Sequence, residues 1–242
     1  TGVPGSGDAD LVADALLEAY YQNPLILGLQ GYRINKDATK LKITYEEDAA
    51  EAAKKQQEIK AKVSEVTAEI ITPGMTDLER ELAINSYLCD TIEYDMAALE
   101  NAEQYNYAKT DPEFNDSFTA YGALLKGKCV CAGYAAAFKL LADSAGLESI
   151  VVTGMLEGTM SHAWNKVKLD GTWEVVDSTN NDNEELFNAL LNIPGTASRL
   201  TLVEDKQYVL DSVIPNYALG SEDSREYYHI SDKFFPVNAI AQ

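Results

Sequence analysis

Residues 128–134 read KCVCAGY, and residues 161–179 read SHAWNKVKLDGTWEVVDST. A cysteine at the start of a small-residue run, followed by a histidine and an aspartate, supplies the residue types of nucleophilic acyl transfer. A free thiol ionises near pH ~8.5, and a helix N-terminus or a protonated imidazole favours its thiolate. In this reading Cys131 is the nucleophile. His162 takes the thiol proton and returns one to a leaving group, and Asp177 holds the ring in the useful tautomer. The backbone N–H of Cys131 is a candidate oxyanion donor.

The second cysteine needs its own reading. Cys129 and Cys131 are expected to leave the junction into the helix on opposite sides, a poor arrangement for a mutual disulfide. No second cysteine pair accompanies them, which argues against structural zinc. One nucleophile and one bystander is the preferred reading. Cys89, the third cysteine, falls within an amphipathic helical pattern and reads as a small buried hydrophobe.

Asp170 and Gly171 stand between two alternating segments, the strongest short-range hairpin signal in a sequence. With these two residues in the turn, opposed positions pair Leu169 with Thr172 and Trp164 with Asp177. His162 lies two residues from Trp164 on the same face, as diagonal neighbour of Asp177, which brings the imidazole within reach of the carboxylate. Trp173 and Val175 share that face, and Ala163, Val167 and Val176 line the other. Trp164 is either core packing or a wall of the cleft. Asn165, Lys166 and Lys168 lie near the same hairpin and are candidates to touch substrate, with solvated surface the expectation for both lysines.

Other elements must hold these residues in place. The pattern predicts a helix over 9–21, stopped by Asn23-Pro24, then a hairpin through Leu41, Ile43 and Tyr45 around a Lys-Asp turn. An amphipathic helix follows between Asp48 and Ile70, with Ile59, Val63, Val66 and Ile70 on one side. Thr76 and Glu79 make a capping box for the next helix, whose apolar side is read as Leu78, Leu82, Leu88 and Ile92. Residues 99–119 are polar and loop-like, and a loop of that length beside an active region serves as lid or rim. A helix from Cys131 to Ser144 stops at Ala145-Gly146. Tyr134, Phe138 and Leu141 are assigned to the core beneath the nucleophile, and ESIVVTGML precedes the hairpin as a further strand. Beyond residue 180 the pattern suggests a short helical piece near 183–191, a strand in TLVEDKQYVL and an aromatic-rich tail; His229 has no identifiable partner there.

Composition excludes some partners. The chain has 242 residues, of which 46% are hydrophobic, enough for one sizeable core. There are 39 Asp and Glu against 19 Lys and Arg, for a formal charge of -20. Such a field repels phosphate backbones and anionic lipid heads, so nucleic acid and membrane surfaces are poor partners. No apolar run is long enough to span a bilayer, and no EF-hand loop is present. The sequence implies no cofactor and no metal. The first residue is Thr1, with no signal-like segment ahead of it, which fits a processed or trimmed chain.

GKCVCAGYAAAFKLLADSAGLESIVVTG followed by SHAWNKVKLDGTWEVVDST resembles the core of the bacterial transglutaminase-like proteins, whose folds are related to papain-type cysteine peptidases. DTIEYD, FTAYGALLKGK and NPLILGLQGYR also resemble their counterparts. The resemblance carries the family nucleophile onto Cys131, the base onto His162 and the orienting acid onto Asp177. It departs at Cys129, where relatives often have a small residue, and at Ser178-Thr179-Asn180-Asn181, where many have Thr-Trp-Asp-Asp. Leu125 stands where papain-type enzymes carry an oxyanion glutamine, and Tyr121 is the substitute donor considered. Gly133 and Trp164 are candidates for the substrate cleft.

The resemblance implies an α+β fold with the nucleophile helix packed on an antiparallel sheet. It also implies an N-terminal helical and hairpin extension over 1–77 and a catalytic domain over 78–242. The activity implied is acyl transfer on amide bonds of a peptide or protein, resolved by water in a peptidase or amidase, or by an amine in a crosslinking transglutaminase. The alternative is a binding module that retains the cleft without turnover. Relatives are commonly exported, so an extracellular or envelope-attached bacterial setting is expected.

Overall fold

The computed structural model of the chain describes residues 8–37, 39–182, 188–192 and 200–205. Residues up to Gln56 form one compact unit, and those from Gln57 form a second. In the first, helix α1 (Ala9–Tyr21) precedes an antiparallel hairpin of β1 (Leu29–Ile34) and β2 (Leu41–Tyr45). Helix α2 (Ala49–Ile70) follows; its residues from Gln57 belong to the second unit, and among them Ile59, Val63 and Val66 are the buried members of its expected stripe.

The second unit is built to hold one helix end. Helix α3 (Asp77–Thr91) starts at the predicted capping box, with Glu79 N–H donating to Thr76 Oγ1 (3.2 Å) and Thr76 N–H to Glu79 Oε2 (2.8 Å). The chain then enters β3 (Glu93–Tyr94) and α4 (Met96–Gln104), and passes through a 3-10 turn (Pro112–Phe118) and a π-helical turn (Gly122–Lys126) into β4 (Lys128–Cys129). β3 pairs with β4 in parallel, Glu93 opposite Lys128 and Tyr94 opposite Cys129. Val130 N–H donates to Ser117 O (2.9 Å), so the residue before the nucleophile is tied to the 3-10 turn as well. Much of the polar stretch at 99–119 is therefore helical. It is pinned by Asp111, which accepts from Asn101 Nδ2 (2.7 Å) and the Tyr105 hydroxyl (3.0 Å).

Helix α5 (Cys131–Ser144) packs on a four-stranded antiparallel sheet of β5 (Ser149–Leu156), β6 (Met160–Leu169), β7 (Thr172–Val176) and β8 (Leu202–Glu204). The sheet order is β7-β6-β5-β8. Tyr134, Phe138 and Leu141 of α5 are buried in the core, together with Ile150, Val152 and Val167 from the sheet. The β6–β7 register is the predicted one, from Leu169 opposite Thr172 to Asn165 opposite Val176. Asp170 and Gly171 both have positive φ (49° and 84°), the backbone that a two-residue hairpin with the sheet's own twist requires.

Two expectations change. Leu78 and Leu82 are exposed, and the buried side of α3 is Glu81, Ile84, Asn85 and Leu88. Glu81 and Asn85 face inward because the chain after the hairpin offers them hydrogen-bond partners, so apolar periodicity is not what selects the buried face. After β7 comes a single helical turn, α6 (Ser178–Asn181), and residues 188–192 return to bridge Leu191 to Val176. The rest of the piece expected at 183–191, the end of TLVEDKQYVL and His229 lie outside the described residues.

Candidate active site

Cys131 is the first residue of α5. The N-cap, Val130, has no side chain that could accept from the first N–H groups, so the helix start keeps its partial positive charge beside the thiol. Cys131 is partly exposed, whereas Cys129 is buried. Burial, followed by the charges of Cys131 and Asp95, pushes the Cys129 thiol well above its ordinary range. Cys89 rises to about 12 through burial and the nearby Asp182, Asp90 and Asp177, and its Sγ lies 3.6 Å from Ser178 O.

His162 and Asp177 are both buried, with Nε2 of the ring 2.7 Å from Asp177 Oδ2. The Cys131 thiol is near enough to the ring to act on its proton affinity. With Nε2 on the carboxylate, Nδ1 is the ring nitrogen left for a proton transfer. Burial alone would lower the His162 pKa. The hydrogen bond to Asp177, the Cys131 thiol and the charges on both outweigh it and raise the value to about 10. The structure thus brings His162 from a strand and Asp177 from a strand end into contact, with Cys131 at the helix start close enough to act on the ring's proton affinity.

Asp177 also caps the turn that follows it, its Oδ1 accepting from Asn180 N–H (3.3 Å). The Asn180 amide donates to Asp177 Oδ2 (2.6 Å) and lies 3.1 Å from His162 Nε2, covering the shared hydrogen bond. Asn180 stands in the stretch where this sequence departs from its relatives. Four residues of helix give no periodic signal that could have identified it.

Trp164 is core: 1% exposed, it stacks on His162 with ring centroids 6.0 Å apart. A side chain at Gly154 would come within 2.7 Å of the Trp164 ring, so the glycine makes room for the indole. Gly133, expected in the cleft, is buried instead. A Cβ there would meet Cys129 Cβ at 2.5 Å and Sγ at 2.7 Å, so the glycine is needed because Cys129 packs beneath the helix start. Asn165 is not at the surface either; its amide donates to Ala135 O (3.0 Å), tying β6 to α5. Lys166 pairs with Glu204, and Lys168 lies 3.7 Å from Glu148.

The Tyr121 hydroxyl donates to Glu58 Oε2 (2.9 Å). Tyr94, from β3, is the tyrosine near the Cys131 backbone, and burial followed by the Cys131 charge raises its pKa. Tyr107 is half exposed in a left-handed backbone (φ 60°), and burial, then Glu103, then Cys131 raise its phenol. Tyr94 gives no local signal in the sequence because the pairing that brings β3 to β4 is only two residues long. No group of His, Cys, Asp or Glu able to hold a metal ion occurs among the described residues, and none of their helices is long and apolar enough to cross a membrane.

Residues 64–178 match the Transglutaminase-like superfamily. The chain is 30% identical over 140 residues to the Kyphoscoliosis peptidase of Mus musculus, covering 53% of this chain and 20% of that protein. It is 32% identical over 131 residues to the Kyphoscoliosis peptidase of Homo sapiens, covering 50% and 18%. The chain therefore spans about a fifth of the length of these curated relatives. A crystal structure of a TGase is similar at TM-score 0.44 and 19% identity, over 55% of this chain and 33% of that one.

Proposed function

With residues 64–178 carrying the transglutaminase-like superfamily fold, we propose that this chain performs thiol-dependent acyl transfer on amide bonds of a peptide or protein. The observation that supports the reading is the buried His162 ring on the Asp177 carboxylate (2.7 Å), with Cys131 at the start of α5 acting on its proton affinity. Cys131 Sγ gives its proton to His162 Nδ1 and attacks the carbonyl carbon. The carbonyl oxygen becomes an oxyanion facing the Cys131 N–H, and the Tyr94 hydroxyl, near that backbone, donates to the same oxygen. When the C–N bond breaks, His162 returns the proton to the leaving amine and a thioester remains. An acceptor then gives a proton to His162, attacks the thioester and releases the thiol.

Water as acceptor makes the protein a peptidase or amidase, and an amine makes it a transglutaminase. The peptidase names of the two curated relatives support water. The test uses p-nitrophenyl acetate as acyl donor, with and without putrescine. The expected result is a burst of nitrophenol with an acetyl group on Cys131 by mass spectrometry, hydrolysed at a rate that putrescine barely changes. A Cys131→Ala protein that gives the same burst would refute the reading. Binding of a peptide by both proteins, with turnover by neither, would make the domain a binding module.

A further inference from the structure

Asp177 is held by more than His162. The turn it caps is gripped from behind by α3, through three side chains spaced four residues apart. Glu81 Oε2 accepts from Asn192 Nδ2 (2.7 Å), Asn85 reaches Ser178, Asn181 and Asn188, and Cys89 Sγ lies against Ser178 O. The spacing i, i+4, i+8 puts all three on one side of the helix.

Asn85 is the centre of this grip. It is 1% exposed and uses both ends of its amide. Its Oδ1 accepts from the Ser178 hydroxyl (3.0 Å) and from Asn181 Nδ2 (3.1 Å), and its Nδ2 donates to Asn188 Oδ1 (3.1 Å). Asn181, itself wholly buried, accepts from Leu190 N–H (2.9 Å) and donates its own N–H to Asp177 O (2.9 Å). Asp177 N–H in turn donates to Leu190 O (3.1 Å). The backbone on both sides of Asp177 is thus connected through buried hydrogen bonds to one amide on α3. Hydrogen bonds have direction, and a buried donor or acceptor that loses its partner pays a desolvation cost, so this network admits few orientations of the turn.

We infer that Asn85 is a positioning residue for the proposed Cys131–His162–Asp177 reaction: through Ser178 and Asn181 it fixes the turn that aims the Asp177 carboxylate at His162. The inference rests on the proposed function, because Asn85 touches neither the substrate nor the reacting atoms. A purely structural role for Asn85 would predict lost stability alone. A positioning role adds a change in the behaviour of the thiol, because a carboxylate displaced from Nε2 no longer orients the ring or supports the imidazolium that receives the Cys131 proton.

The test compares the rate of iodoacetamide alkylation at Cys131 across pH in the original chain, Asn85→Ala, Ser178→Ala, His162→Ala and Ile84→Ala, with melting temperatures for each. Ile84 is a buried apolar residue of the same helix and serves as a control for general destabilisation. Asn85→Ala is expected to slow alkylation at about pH 6.5 roughly tenfold or more, within the range that small displacements of reacting groups produce, and to move the profile toward that of His162→Ala. Ile84→Ala lowers the melting temperature and leaves the profile in place. If Asn85→Ala fails to fold, Ser178→Ala removes one of the same hydrogen bonds from the other side and is expected to shift the profile in the same direction. A combined Asn85→Ala/Ser178→Ala protein should show less than the sum of the two effects, as partners in one network do. Lower melting temperature with an unchanged alkylation profile in both Asn85→Ala and Ser178→Ala would overturn the inference. If His162→Ala itself leaves the profile unchanged, the proposed function fails, a result distinguishable from failure of the Asn85 reading alone.

Discussion

Helices α3 and α5 lie against each other and present opposite kinds of inner surface. From α5 come Tyr134, Ala135, Phe138, Leu141 and Ala142, with the buried Lys139 paired to Asp143 of the same helix, a surface that fits mainly by volume. From α3 come Glu81 and Asn85 among Ile84 and Leu88, while Leu78 and Leu82 face solvent. Apolar packing sets how close two elements sit and leaves small rotations inexpensive. Buried hydrogen bonds set direction and make a wrong orientation costly. The difference follows from what each helix holds: α5 carries a nucleophile fixed by its place at the helix start, and α3 supports a carboxylate whose aim matters. Tyr134 joins the two systems, its hydroxyl lying 3.0 Å from Ile92 O at the end of α3 and 2.9 Å from Asp182 Oδ2.

If the α5 side depends on volume, the largest effect on stability comes from adding atoms where none fit. Gly133→Ala places a methyl at 2.5 Å from Cys129 Cβ. The better helix propensity of alanine offsets only part of the overpacking, leaving a net loss of about 2–3 kcal/mol. Denaturant unfolding measures it. Adding Cys129→Ala removes the Sγ contact and should restore part of the loss; strict additivity would mean that the two side chains do not meet as described.

A smaller and pH-dependent effect is expected on the α3 side. Burial, opposed by the Asn192 hydrogen bond and aided by Glu174, raises the Glu81 pKa to about 7 from 4.5. Glu81 Oε1 and Asn192 Oδ1 are both buried without a partner, so the pair has two acceptors and lacks a proton. An acid whose folded pKa is raised carries no penalty below the unfolded value. It loses stability as pH climbs from 4.5 and bears the full cost above about 7. Glu81→Gln supplies an N–H in place of the missing proton, and should stabilise the protein by about 1–2 kcal/mol above neutral pH. That gain should vanish toward pH 4.5. Thermal unfolding at several pH values is the measurement, and a gain independent of pH would show that Glu81 is not the titrating group.

The smallest effect belongs to the apolar residues of α3 that the buried face leaves out. Leu82→Gln should change stability by less than about 0.5 kcal/mol, as exposed substitutions do. A loss of several kcal/mol would mean that Leu82 is covered and that the contrast between the helices is misdrawn.

The same contrast decides what could be read from the sequence. The β6–β7 register followed from Asp170-Gly171 because turn chemistry is local and fixes every opposed pair beyond it. The start of α5 at Cys131 and the capping box at Thr76 and Glu79 were legible for the same reason, as was the approach of His162 to Asp177. The inward face of α3 was not, because apolar periodicity assigns a buried side only where burial is apolar. Glu81 and Asn85 are buried by partners about a hundred residues away, which no local pattern announces. Tyr94 depends on a parallel ladder of two residues between distant segments. Gly133 and Trp164 were noticed as residues near the site, but the packing of Cys129 and Gly154 against them decides that they support the site from within.

The most direct test of the central claim is the alkylation rate of Cys131 as a function of pH, read by mass spectrometry in a Cys129→Ser background with and without His162→Ala. With the imidazolium stabilised up to about pH 10 by Asp177 and Cys131, the account predicts rapid alkylation well below about pH 8 and a marked slowing when His162 is replaced. Ordinary thiol behaviour, the same in both proteins, would contradict it.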